Sequence, residues 1–175
     1  MMRIMKEKRV IMGMPIEIEI IGSNVKNTPE NTCAHLVSID NRFSTYKDDR
    51  EISQINRGEL TLAAASPEMK EVFQIAEKTK KETNGYFDIH RPDGSIDPSG
   101  IVKGWAILNT VALIRKAGYE NYFVNAGGDI ASSGKNAKGA PWRFGIQNPF
   151  NTNEIVKVVY PRGNGIATSG WYLRG

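Results

Sequence analysis

From Ile16 to Ile20 the chain alternates strictly, with isoleucine at 16, 18 and 20 and glutamate at 17 and 19. A period of two sends the isoleucines to one side of an extended backbone and the glutamates to the other. The stretch "KRVIMGMPIEIEIIG", Lys8 to Gly22, therefore reads as a half-buried strand that ends at Gly22-Ser23-Asn24. A strand of this kind needs an apolar layer over one face.

The rest of the chain supplies helices for that layer. In "NTPENTCAHLVSIDNRFS", Cys33, Leu36, Val37, Ile39 and Phe43 recur at three and four, which predicts a first helix running to about Phe43. "SPEMKEVFQIAEKTKKETNG" carries every punctuation mark of a helix. Ser66 suits the N-cap, Pro67 the first position, Glu68 the positive end of the dipole, and Gly85 the stop. Its apolar face is Met69, Val72, Phe73, Ile75 and Ala76. A third helix is predicted from about Lys103 to Lys116, with Trp105, Leu108, Val111, Ala112 and Ile114 inward and Gly118 at its end. "NYFVNAGGDIASSG" then reads as a buried strand, Tyr122 to Val124, followed by a glycine turn and a short second strand. "WRFGIQNP" and "EIVKVVYP" form an antiparallel pair joined by "FNTN". The sum is an α+β fold, a mixed or antiparallel sheet with helices packed against it.

At 175 residues the chain suits one domain, 1–175, large enough to bury a real core. The net charge of +4 fits an anionic small ligand, and the basic residues are too scattered for a nucleic-acid footprint. Cys33 is the single cysteine, so no intrachain disulfide can form, and its place on an apolar helix face suits core better than catalysis. No apolar run reaches the ~20 residues of a membrane span, and none near the N-terminus makes a leader. As written the chain reads as cytoplasmic, and a mature chain with its leader removed would look the same.

Several stretches carry chemistry beside a plainer alternative. In "DPSGIVKGWA", Pro98, Ser99 and Gly100 make a turn. A helix beginning near Ile101 would aim free N–H groups and Lys103 at one anion-sized volume, with the Gly100 carbonyl open to a hard cation. The same residues also suit an ordinary loop with a solvated lysine. Gly127-Gly128 is either a tight hairpin turn or a close approach for a planar ligand, with Asp129 placed to orient a hydroxyl. Thr168, Ser169 and Gly170 offer donors to a phosphate or simply form a loop. Tyr46 is exposed and able to stack on a ring; Phe87 suits core; Asp88 beside His90 is functional or a cap. His35 and His90 are too few and too far apart for a histidine metal site.

Taken in order, "MG" at Met12-Gly13, "RFSTYKDDREISQIN", "TNGYFDI", "DPSGIVKGWAI", "VNAGGDIA", "WRFGIQNP" and "GIATSGWYLRG" resemble the FAD:protein FMN transferases, the ApbE-like flavin transferases, over nearly the whole chain. The resemblance implies a T-fold-related domain that binds FAD and magnesium. It also implies transfer of FMN to a threonine or serine hydroxyl of an acceptor protein, with release of AMP. Hydrolysis of FAD to FMN and AMP, or FAD binding without catalysis, are its alternatives; a purely structural module is the reading outside it.

Residue by residue, the resemblance implies FAD contacts at Met12, Tyr46, Tyr86, Phe87, Asp88, Asp97 and Lys103, and a metal ligand in the Gly100 carbonyl. Asn125 to Asp129 and Ala167 to Gly170, with Thr168 among them, become pocket wall. No catalytic residue is assigned. Two departures stand out. Only "IHRPDGSI" separates Asp88 from Asp97, where the family carries a longer insertion. The family's C-terminal H-x-I-x-D-P-like segment, which completes the cation's shell, has no counterpart before Gly175. The expectation is thus a flavin-transferase-like domain lacking that segment, exported or membrane-associated in some relatives.

Overall fold

The computed structural model describes residues 3–23, 28–161, 163 and 165–169. Among these described residues, seven strands and four helices follow in the order β1 (Arg3–Ile11), β2 (Met14–Gly22), α1 (Thr28–Phe43), α2 (Glu51–Asn56), α3 (Pro67–Glu82), α4 (Ser99–Lys116), β3 (Asn121–Ala126), β4 (Asp129–Ser133), β5 (Phe144–Gln147), β6 (Ile155–Val159) and β7 (Gly165–Ile166). They fall into two compact units. One comprises Met1–Cys33 with Thr110–Gly175, the other Ala34–Asn109.

The first unit is built on an antiparallel sheet in the order β1-β2-β3-β4-β7, beside a separate β5-β6 ribbon. The single strand expected over Lys8–Gly22 is in fact a hairpin. Met12 and Gly13 both have positive φ, 55° and 67°, and Ile11 pairs with Met14 across them. Two left-handed residues in succession match the twist of the flanking strands and reverse the chain in the tightest way available. The alternation of β2 survives: Ile16, Ile18 and Ile20 share one face with Tyr122, Val124 and Ala126 of β3, all buried. The other face is covered in part, at Glu19 and Ile21, while Glu17 stays partly exposed, so the strand is more than half buried. Glu19 is only 6% exposed and meets Lys6 at 2.7 Å, while Phe123, opposite it, stands edge-on to Trp142 and Phe144. The paired charge lets a carboxylate sit in a partly covered face. Gly127-Gly128 is the two-residue turn of β3-β4, with Ala126 opposite Asp129. β5 and β6 pair as predicted.

The second unit is helical. α1 ends at Phe43 as expected, although Val37 is exposed. α2 was not foreseen in the polar "DDREISQIN"; six residues give no helical period to read, yet its Ile52 is fully buried. α3 starts on Ser66, whose hydroxyl accepts the Met69 N–H at 3.2 Å. It ends in a Schellman motif with Asn84 in the left-handed position (φ 51°) and Gly85 after it also at positive φ (82°), the Gly85 N–H reaching the Lys80 carbonyl. α4 starts at Ser99, four residues before the expected Lys103, because Asp97 caps it from outside. Leu108 and Ala112, expected inward, are exposed. The core here contains Leu36, Ile39, Ile52, Met69, Val72, Val102 and Trp105, with Phe43 edge-on to Trp105.

Candidate functional site

The second unit gathers a group of the predicted residues around one loop and one helix start. The Thr83 hydroxyl accepts the Phe87 N–H at 3.0 Å, fixing the exit from α3. One residue later, Asp88 Oδ1 takes both the backbone N–H and Nδ1 of His90 at 2.9 Å, and its other oxygen meets Lys80 at 2.6 Å. Lys80 first, then the His90 N–H and ring, hold the Asp88 carboxyl far below the usual range. Asp88 thus caps its own turn, as the plainer alternative had it, and also orients the His90 imidazole.

From Ile89 the chain makes a small hairpin and returns. Asp97 N–H donates to the Ile89 carbonyl at 2.8 Å, His90 bridges to Ile96, and Gly94 turns the chain with φ 85°. Asn56, at the end of α2, grips Ile96 from both sides, accepting its N–H at 2.8 Å and donating to its carbonyl at 3.0 Å. Arg91 pairs with the second oxygen of Asp97. Burial pushes Asp97 upward, yet the Ser99 N–H and hydroxyl and the Arg91 guanidinium outweigh it and leave the carboxyl below its ordinary value. Both Asp97 oxygens are therefore committed within the protein.

Beyond the cap, α4 begins. Pro98 carbonyl accepts from Ile101 and Val102 at 2.9 and 3.0 Å, so Gly100 lies within the first helical turn rather than in a preceding loop. A Cβ on Gly100 would stand 2.9 Å from Phe87 Cε2. The glycine is needed there for close approach, and Phe87, expected in the core, is only partly covered. Lys103, three residues on, lies on the same helical face as Gly100 and is partly exposed. Tyr46 and Tyr86 belong to the same unit and are 96% and 97% exposed, so each ring offers both faces.

The first unit holds the remaining candidates. Asn125 Oδ1 accepts the Gly128 N–H at 3.0 Å, and Gly127 N–H donates to the Pro15 carbonyl at 2.9 Å. Thr168 donates its N–H to Asp129 at 2.8 Å and its hydroxyl to the Gly128 carbonyl at 2.7 Å. Both of its donors are spent, so what Thr168 keeps for a ligand is an acceptor. Met12 sits in the β1-β2 turn of the same unit, partly covered. Gly170 lies outside the described residues.

A hard cation takes six or more oxygens. Among the described residues no three His, Cys, Asp or Glu side chains gather into a metal-binding group, and both Asp97 oxygens are engaged. These residues do not by themselves fit a magnesium shell. Asn56, Lys80 and Arg91, which set the loop's shape, escaped sequence reasoning, since nothing in their spacing announces partners up to forty positions away.

The ApbE family pattern matches residues 12–91 and 90–175. The FAD:protein FMN transferase of Salmonella typhimurium is 39% identical over 82 residues, 46% of this chain and 23% of that protein. That of Escherichia coli K12 is 38% identical, covering 50% and 25%. The Haemophilus influenzae protein of the same name is 24% identical over 87% of this chain and 60% of its own length. The matched stretch thus spans about a quarter of the first two relatives. Among solved structures, the fold superposes on the flavin transferase ApbE of Vibrio cholerae (TM-score 0.83, 23% identity, 98% of this chain and 73% of that one). It also superposes on an ApbE protein of Thermotoga maritima (0.85, 18%, 97% and 71%).

Proposed function

The chain belongs to the ApbE family, and from that premise we propose that it binds FAD and moves the FMN moiety onto a serine or threonine hydroxyl of an acceptor protein. The observation that carries this reading is the junction of loop 86–97 with α4. There Asp97 caps the helix, Gly100 admits Phe87, and Lys103 projects from the same first turns. A helix N-terminus with a lysine one turn in favours a pyrophosphate.

In the proposed reaction the acceptor oxygen attacks the FMN-side phosphorus and loses its proton. The bond from that phosphorus to the bridging oxygen breaks, and AMP leaves with the electron pair. Lys103 and the first N–H groups of α4 offset the charge that gathers on the pyrophosphate oxygens. Tyr46 and Tyr86 offer stacking surfaces for the isoalloxazine; Met12, Phe87, Asp88 and Thr168 complete the proposed contacts. No step is routed through magnesium, because the described donors fall short of its shell. That shortfall favours a second reading, FAD binding without catalysis.

The test is incubation with FAD, with and without magnesium, and a threonine-bearing acceptor peptide. Covalently fluorescent peptide with equimolar AMP supports transfer, AMP with free FMN supports hydrolysis, and bound intact FAD supports the binder. Lys103→Ala is expected to lower FAD affinity at least tenfold, about the worth of one charge-assisted contact. An unchanged affinity would remove Lys103 from the site.

A further inference from the structure

A groove of about 880 Å³ runs along the outer side of α3, entirely within the helical unit, and none of the proposed flavin contacts lines it. Its floor is apolar, formed by Leu62, Ala63 and Phe73. Its cations are unevenly used. Lys78 is tied to Glu82 at 3.7 Å, and the neighbouring Lys80 is taken by Asp88. Among the described residues, Lys70 at one end and Lys81 at the other form no ion pair. His90 lines the Lys81 end, with its Nδ1 held by Asp88. The groove therefore runs up to the loop that leads to Asp97 and α4.

We propose that this groove docks the acceptor polypeptide as an extended segment with an apolar centre and acidic side chains at its two ends, a proposal that rests on the flavin-transfer reading. Lys81 stands eleven helical steps beyond Lys70, about 16 Å of rise. An extended chain covers that distance in about five residues. A nucleotide or inorganic anion concentrates its charge at one point and would satisfy one lysine, leaving the apolar floor uncovered. Glu77, between the lysines, disfavours a third acid and keeps the middle of the occupant neutral. A hydroxyl placed just beyond the Lys81 end would be delivered toward the loop that holds Asp88 and Asp97.

The test uses the full chain and a rhodamine-labelled peptide with glutamates six positions apart, an even spacing that puts both on one face of an extended chain, leucines between them and a threonine after the second glutamate. Fluorescence anisotropy should show saturable binding that weakens with salt and is not displaced by FAD. Lys70→Glu and Lys81→Glu should each weaken it about fivefold or more, as loss of one exposed pair plus repulsion requires. Lys157→Glu, on β6, should leave it unchanged. A peptide with lysines in place of the glutamates should bind the double reversal better than it binds the unaltered chain. No saturable binding, indifference to both reversals, failure of the charge swap, or displacement by FAD would each overturn the docking site. FAD binding is read in parallel by flavin fluorescence. Its loss with peptide binding retained removes the flavin reading and leaves an acidic-peptide site; the converse removes the groove alone.

Discussion

Among the described residues, Met12 is the one non-glycine residue of a strand-to-strand turn held at positive φ, a conformation that costs an ordinary side chain roughly 1–2 kcal/mol. Asn tolerates it better, so Met12→Asn should raise unfolding stability by about 0.5–1 kcal/mol in a denaturant titration. If the thioether touches flavin, the same variant loses FAD affinity, a stability gain with a binding loss. Gly100 poses the opposite balance. Alanine improves helix propensity by up to about 1 kcal/mol, but its Cβ would meet Phe87 at 2.9 Å. The blocking atom is the far edge of a partly exposed ring, which can swing away. Gly100→Ala should therefore change the melting temperature little and act by displacing Phe87, seen as weaker FAD binding. Equal stability with equal affinity would show that the close approach has no bearing on flavin.

At the scale of elements, Ser66 shows how far a cap can be read. The sequence identifies it as the N-cap of α3, worth about 1 kcal/mol. The fold adds that its hydroxyl donates to Glu51 at 2.9 Å and its N–H to the same carboxylate, while Arg42 pairs with both Glu51 and Glu68. Ser66→Ala should cost about 2 kcal/mol by chemical unfolding, since it also strips one bond from a partly buried carboxylate. The 89–97 hairpin depends on two depressed carboxyls, Asp88 and Asp97. A carboxyl lowered by folding contributes stability above its unfolded value, ordinarily 3.8, and that contribution fades as pH falls through the folded value. Amide exchange of 88–99 should thus accelerate below about pH 4, ahead of the buried strands. Uniform acceleration throughout would mean that these carboxyls are not what holds the hairpin.

For the whole molecule, a ligand that binds only the folded chain stabilises it by about 2.7 kcal/mol at a hundredfold excess over its dissociation constant. FAD at that ratio should raise the thermal midpoint by several degrees, whereas an unshifted midpoint would rule out flavin binding by this chain. Local chemistry was legible in the sequence. The isoleucine alternation, the caps of α3, the glycine turn at 127–128 and the order of motifs are all written in residues a few positions apart, where period and φ preference act directly. What tertiary structure alone decided is distant pairing. Glu19 is covered because Phe123, Trp142 and Lys6 meet on its face; α2 exists because Ile52 has a core to enter. α4 starts early because Asp97 caps it, and Asn56 holds the hairpin leading there from forty residues away. Such contacts gain their energy only when the chain has closed the intervening loops, so no local pattern marks them beforehand.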